Sequence, residues 1–208
     1  MKQMLRSLVV LASVALCTHV MFADIVNNGN FSTPPPSGAF TTVYAGDTQI
    51  PGWTVASGSV DWIGNYWQAP PLGGYSIDLD GNSPGAISQD LTTTAGQTYK
   101  VSFYLSGNPD GFPSTKTVDV SAGAQSDTFT YAIGANSETD MDYVLESFLF
   151  TAAGSSTTLA FTSLDNGSPY GPVIGDVSAS PVPEPTSLLL LGTGLATLGS
   201  FLRRKITA

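Results

Sequence analysis

The chain has 208 residues, of which seven are basic and sixteen are acidic, and 42% are hydrophobic. This length suits one domain with short segments on either side. All sixteen acidic residues lie between Asp24 and Glu184, where only Lys100 and Lys116 oppose them, so this stretch has a net charge of −14. Such a surface repels phosphate backbones, which excludes nucleic-acid binding, and suits cations or neutral polar ligands such as glycans.

Residues 1–23 are typical of a secretory signal peptide. Lys2 and Arg6 form a positively charged start, an apolar run follows over residues 8–16, and Ala23 is a small residue at a cleavage site before Asp24. The apolar run is too short to span a bilayer, which favours a cleaved signal over an anchor. The alternative is a buried N-terminal helix.

Removal of this segment would change the chemistry that the chain can perform. The single cysteine and the single histidine, Cys17 and His19, would leave with it. Without a thiol or an imidazole, Ser-His-Asp catalysis and the usual zinc ligand sets are excluded. Paired carboxylates would remain, namely Asp78 with Asp80 and Asp140 with Asp142. A secreted glycosidase built on such a pair is the less favoured alternative, and we expect that the protein is not an enzyme.

Residues 24–180 consist of short runs in which apolar and polar residues alternate. The run TYKVSFYLSG places four large apolar side chains on one face, those of Tyr99, Val101, Phe103 and Leu105. Turn signals separate the runs, for example NPDG at 108–111. About nine or ten such strands in one domain predict an all-β fold, an antiparallel jelly-roll β-sandwich.

The aromatic run DWIGNYW indicates a carbohydrate-binding site in this domain. Sugar recognition commonly combines aromatic rings with a few amide and carboxylate groups. The candidate residues are Asp61, Trp62, Asn65, Tyr66, Trp67 and Tyr75. The alternative, which the usual burial of aromatic side chains favours, is that these rings form core and rim packing.

Residues 25–180 resemble the choice-of-anchor C domains of exported bacterial proteins, which are relatives of the galactose-binding-like jelly rolls. The resemblance rests on several motifs taken together, among them NNGNF, GWTVASGSVD, YSIDLDG, GAISQ, SGNPDG and GPVIGDVSAS. Many galactose-binding-like domains hold a structural calcium ion with acidic residues at both ends of the fold. Here Ser32 and Gly175 replace two of those acids, so the candidate calcium ligands are Asp24, Asp176 and backbone carbonyls. No other cofactor is expected.

The chain closes with an apolar stretch between two short motifs. In chain order these are Pro183, Glu184 and Pro185, the uncharged run 187–202, and Arg203, Arg204 and Lys205. The run is near the short limit for a transmembrane helix, and the positive-inside rule would keep the basic cluster in the cytoplasm. The alternative to a processed segment is a permanent membrane anchor.

Residues 181–208 resemble the PEP-CTERM sorting signal. The resemblance implies that an exosortase, a membrane protease of Gram-negative bacteria, processes the tail after transient anchoring in the inner membrane. It also implies export to the cell surface or the extracellular matrix. We therefore expect an exported, exopolysaccharide- or biofilm-associated protein that binds extracellular polysaccharide through its β-sandwich. The alternative function is a purely structural matrix protein without a ligand.

Overall fold

The structure is a computed structural model that describes residues 23–183 and, in the tail, Gly192 and Gly194. The predicted signal peptide, the apolar run 187–202 and the basic cluster fall outside the described residues, apart from Ala23 and those two glycines. Within the part that is described, no helix is both long and apolar enough to cross a membrane.

The described residues form eleven strands. They are β1 (Phe40–Tyr44), β2 (Thr54–Ser57), β3 (Ser59–Ile63), β4 (Ser76–Asp78), β5 (Ala86–Thr92), β6 (Thr98–Gly107), β7 (Thr115–Ala122), β8 (Gln125–Ala132), β9 (Val144–Thr151), β10 (Ser156–Ser163) and β11 (Pro172–Pro181). A six-stranded sheet has the order β1-β3-β4-β11-β6-β9, and a five-stranded sheet has the order β2-β5-β10-β7-β8. Every strand pair is antiparallel. The predicted all-β antiparallel sandwich is confirmed.

The main core lies between the two sheets and follows the period-two alternation of the strands. The four apolar residues of β6 that the alternation placed on one face are all buried in this core. Aromatic rings connect the two sheets: Phe103 of β6 lies edge-on to Phe129 of β8 and to Phe161 of β10, with ring centroids 5.3 and 5.1 Å apart. Such edge-to-face contacts add to the hydrophobic stabilisation of the sandwich.

A second, smaller core lies on the outer face of the six-stranded sheet. The β3–β4 loop, residues 64–75, folds over this face, and Trp67 packs there with Ile63, Met141 and Val173. Further along the loop, Pro70 lies so close to Gly175 of β11 that a Cβ atom at this glycine would be 2.4 Å from the proline ring. These contacts hold the β3–β4 loop beside the β8–β9 loop, residues 133–143.

Candidate functional site

The structure places two of the predicted sugar-binding rings in the interior. Trp62 is 4% exposed in the main core, and its indole N–H donates a hydrogen bond to the Phe31 carbonyl oxygen at 3.0 Å. Trp67 is 7% exposed in the outer core and donates to the Ser76 hydroxyl at 2.9 Å. Both rings pack as core, as the alternative interpretation held, so they do not form a platform for a sugar.

The other predicted residues differ in their exposure. Tyr75 is half-buried and packs against the main core. Asp61 is half-buried and accepts a hydrogen bond from the Thr42 hydroxyl at 2.5 Å, while burial raises the pKa of its carboxyl group. Of the six candidates only Asn65 and Tyr66 are exposed. The structure therefore does not bring the predicted set together on one open surface.

Tyr66 instead joins residues from distant parts of the sequence. Its hydroxyl donates a hydrogen bond of 2.9 Å to Oδ2 of Asp110, in the β6–β7 loop. Its ring is 36% exposed and lies edge-on to Phe40, with centroids 5.6 Å apart. The bond to Asp110 raises the pKa of Tyr66 to about 12, so the hydroxyl stays protonated and remains a donor.

A second exposed tyrosine packs against the β6–β7 loop, which also contains Asp110. The ring of Tyr170, in the β10–β11 loop, is 36% exposed and packs on Gly111. A Cβ atom at Gly111 would be 2.2 Å from this ring, so only glycine allows the contact. Tyr170 also contributes to the raised pKa of Tyr66. Next to Gly111, Phe112 is 79% exposed.

An open cavity of about 420 Å³ lies between the β6–β7 and β8–β9 loops, and Asp110, the partner of Tyr66, lies in its wall. It is lined by Pro109, Asp110, Asn136, Ser137, Glu138 and Thr139. The lining thus offers two carboxylates, an amide and two hydroxyls, and one of the carboxylates bonds to the exposed Tyr66. We call Tyr66, Tyr170, Phe112 and this cavity the loop site.

A group of buried charged residues lies beneath the loop site. Lys116 is 0% exposed, and its ammonium group donates to the carbonyl oxygens of Gly111 at 2.8 Å and Tyr170 at 2.5 Å. One buried cation therefore ties together the β6–β7 loop, which carries Phe112, and the β10–β11 loop, which carries Tyr170. Burial lowers the pKa of Lys116.

Two acidic side chains near Lys116 are incompletely hydrogen-bonded. Asp80 is 0% exposed, and neither of its carboxylate oxygens has a hydrogen-bond partner of normal geometry; the same holds for Oδ2 of Asp165. The pKa of Asp80 is raised to about 6, mainly by burial and also by the charge of Asp165, while the hydroxyl of Ser163 and the charge of Lys116 offset part of the rise. Burial also raises the pKa of Asp165. These groups are placed to oppose the charge of Lys116.

Asp78 connects the buried group to the surface. It is almost fully buried, burial raises its pKa well above the ordinary value, and its Oδ2 accepts a hydrogen bond of 2.7 Å from the Asn108 amide. Oδ1 of Asn108 in turn accepts a bond of 2.9 Å from the backbone N–H of Asp110. A continuous chain of hydrogen bonds therefore runs from Asp78 to Tyr66. Because Asp78 and Asp80 are buried, this pair is closed to a glycosidic substrate.

One oxygen of each candidate calcium ligand accepts hydrogen bonds from backbone N–H groups. Oδ1 of Asp24 accepts hydrogen bonds from the N–H groups of Val26 and Ala179, at 3.0 and 2.8 Å. Asp176 is buried and accepts one from Leu72 at 2.8 Å. Among the described residues no group of three or more His, Cys, Asp or Glu side chains could hold a metal ion. These two carboxylates do not fit the set of six to eight oxygens that calcium prefers.

Comparison with protein families assigns the β-sandwich to a known family. The family described as "Protein of unknown function (DUF642)" has a model that matches residues 24–180. The chain belongs to the DUF642 family. A second model, the PEP-CTERM protein-sorting motif, matches residues 181–205, which confirms the predicted sorting motif. The expected assignment to the choice-of-anchor C family is not confirmed.

Two curated proteins contain a segment similar to this DUF642 chain. Halomucin of Haloquadratum walsbyi is 32% identical over 169 residues, which cover 75% of this chain and 2% of halomucin. The Arabidopsis thaliana protein named DUF642 L-galactono-1,4-lactone-responsive gene 1 is 28% identical over 172 residues, which cover 74% of this chain and 45% of that protein. The chain thus spans less than half the length of either relative.

Solved structures similar to this DUF642 protein include several carbohydrate-binding modules. TmCBM61, solved in complex with β-1,4-galactotriose, has a TM-score of 0.47 at 14% identity. The matched region covers 77% of this chain and 99% of the TmCBM61 chain. The CBM22-1 xylan-binding domain of Paenibacillus barcinonensis Xyn10C has a TM-score of 0.44 at 16% identity, and the match covers 72% of this chain and 98% of that domain. At these scores and identities the ligands of those modules do not carry over to this chain.

Proposed function

We propose that this DUF642 protein is exported, is processed by an exosortase, and binds carbohydrate at the cell surface or in the extracellular matrix. The sorting motif at residues 181–205 supports the export and the processing. The observation that carries the binding function is the loop site, where the exposed Tyr66 bonds to Asp110 in the wall of a cavity lined by carboxylate, amide and hydroxyl groups, and the exposed Tyr170 packs on the neighbouring Gly111.

The chemistry of the loop site suits a sugar. A pyranose ring has apolar C–H faces that pack on aromatic rings, and hydroxyl groups that bond to carboxylates and amides. Tyr66 and Tyr170 supply the rings at the loop site, and Asp110, Asn136 and Glu138 supply polar groups beside them. The bond from the Tyr66 hydroxyl to Asp110 fixes this ring before a ligand arrives, which lowers the entropic cost of binding.

Truncation of Tyr170 tests the binding function. After a glycan array has identified a ligand, we expect Tyr170→Ala to weaken its binding about tenfold or more in calorimetry, because an aromatic packing surface is lost. Tyr44→Ala is the matched control, since Tyr44 is 55% exposed but bonds to Asn82 at the far end of β1 from Phe40. Absence of any ligand on the array, or equal affinity of Tyr170→Ala and the native protein, would reject the loop site as a glycan site.

The processing step has its own test. If an exosortase removes the tail, the intact mass of the exported protein should show that Arg203, Arg204 and Lys205 are absent. Lys100 and Lys116 are the only trypsin cleavage sites between Asp24 and Glu184. Because trypsin yields few peptides from this region, intact mass is the cleaner readout. A mass that retains the basic cluster, from a source whose genome encodes no exosortase, would contradict the proposal.

A further inference from the structure

The loop site has exposed carboxylates but, among the described residues, no exposed cation. Asp110 and Glu138 line the cavity, and Asp140 and Asp142 are exposed further along the β8–β9 loop. Such a site repels uronic acids and sulfated sugars, because no positive group is present to bind their anions.

The two lysines of residues 23–183 do not offset this charge at the surface. Lys116 is fully buried, and its ammonium group is already bound by two backbone carbonyls. Lys100 is exposed but lies in β6 seven residues before Gly107, about 23 Å along the strand from the loop site. A ligand at the loop site therefore meets only negative charge.

The two carboxylates that line the cavity have oxygen atoms that accept no hydrogen bond from the described residues. Asp110 uses Oδ2 to accept from Tyr66, and its Oδ1 accepts no hydrogen bond from any described residue. The side chain of Glu138 likewise accepts none within residues 23–183, since only its backbone oxygen is bonded, by Gln68. These oxygens are free to accept charge-assisted hydrogen bonds, which are about twice as strong as neutral ones.

Aromatic faces beside free carboxylates are the surroundings that bind an ammonium group best. The negative faces of Tyr66 and Tyr170 attract a cation within about 6 Å, and the carboxylates bond its N–H groups. Resting on the proposed carbohydrate binding, we infer that the loop site takes a saccharide that carries free amino groups, as in a deacetylated amino-sugar polymer. The ammonium group lies in the cavity between Asp110 and Glu138, and the sugar ring packs on the tyrosines.

The test compares two ligands that differ only in this group. Calorimetry at mildly acidic pH would measure the binding of β-1,4-linked glucosamine tetramer and of its fully N-acetylated counterpart to the purified protein. We expect the amine tetramer to bind at least about tenfold more tightly, because the acetyl group removes the charge. In the double variant Asp110→Asn/Glu138→Gln, this preference should disappear.

A matched variant separates a specific site from general attraction to an acidic protein. Asp90→Asn/Asp127→Asn removes two exposed carboxylates from β5 and β8 of the other sheet and should keep the preference. Equal loss in both double variants would overturn the inference. The inference of an amino-sugar ligand would also fail if the two tetramers bind equally, or if neither binds while a neutral glycan from the array does. In both cases the proposed carbohydrate binding would survive. Only the absence of any glycan ligand would reject both.

Discussion

Replacing Asp80 by asparagine should stabilise the protein at neutral pH and leave its stability unchanged near pH 4. The Asp80 carboxylate is fully buried without a hydrogen-bond partner of normal geometry, and burial raises its pKa from 3.8 to about 6. Because the folded-state pKa lies above the unfolded one, the folded protein binds the additional proton, and stability falls as pH rises through this window. At pH 7 ionised Asp80 costs about 1 to 3 kcal/mol, which asparagine would recover.

Urea denaturation of both proteins between about pH 4 and pH 8 measures this difference. The control is Asp90→Asn, whose carboxyl group is exposed on β5 and accepts a bond from the Thr158 hydroxyl. We expect the free energies of unfolding of Asp80→Asn and the native protein to diverge as pH rises from about 4 to about 6, and to differ by a constant amount above that range. Parallel curves over the whole range would show that the carboxyl group does not ionise at a raised pKa.

Replacing Lys116 by methionine should cause one of the largest losses of stability in the domain, about 3 to 5 kcal/mol. Methionine keeps most of the apolar stem but removes the ammonium group, so the carbonyl oxygens of Gly111 and Tyr170 lose a donor. The carboxylates of Asp80 and Asp165 would also lose the nearby positive charge that lowers their pKa values. Since the two loops are no longer tied together, affinity for the glycan should fall as well.

A double-mutant cycle identifies the cause of that loss. If uncompensated buried charge dominates, Asp80→Asn should restore part of the stability of Lys116→Met at pH 7, and the two effects will not be additive. The measurement is the free energy of unfolding of both single variants and the double variant. A loss below about 1 kcal/mol in Lys116→Met would mean that water already solvates this group.

The sandwich could be predicted from the sequence because burial in a strand has a local, period-two signature. The same parity places Val60 and Trp62 of β3 on the face opposite to Asp61, which identifies Trp62 as a core residue rather than a platform residue. The alternation of faces also indicates that Lys116 is buried, because it lies on the same face of β7 as the buried Val118. Both signals were available within single strands.

The loop site could not be predicted in this way because its residues are distant in sequence. Tyr66 and Asp110 are separated by 44 positions, and Tyr170 lies in a third loop. Asp110 and Tyr170 meet because Gly107 of β6 pairs with Pro172 of β11, which places the β6–β7 and β10–β11 loops at one end of the sandwich. Tyr66 reaches them because the β3–β4 loop folds over the outer face of the six-stranded sheet. Nothing local in NPDG distinguishes a plain turn from one whose aspartate anchors an aromatic ring.

A map of the amide chemical-shift changes that a bound glycan causes across the sandwich would show where carbohydrate binds. If carbohydrate binds at the loop site, the largest changes should fall on Tyr66, on residues 108–114 and 133–143, and on Tyr170. The five-stranded sheet and Lys100 should stay unperturbed. Changes concentrated on the outer face of β6 and β9, or no changes at saturating glycan, would show that carbohydrate does not bind at the loop site.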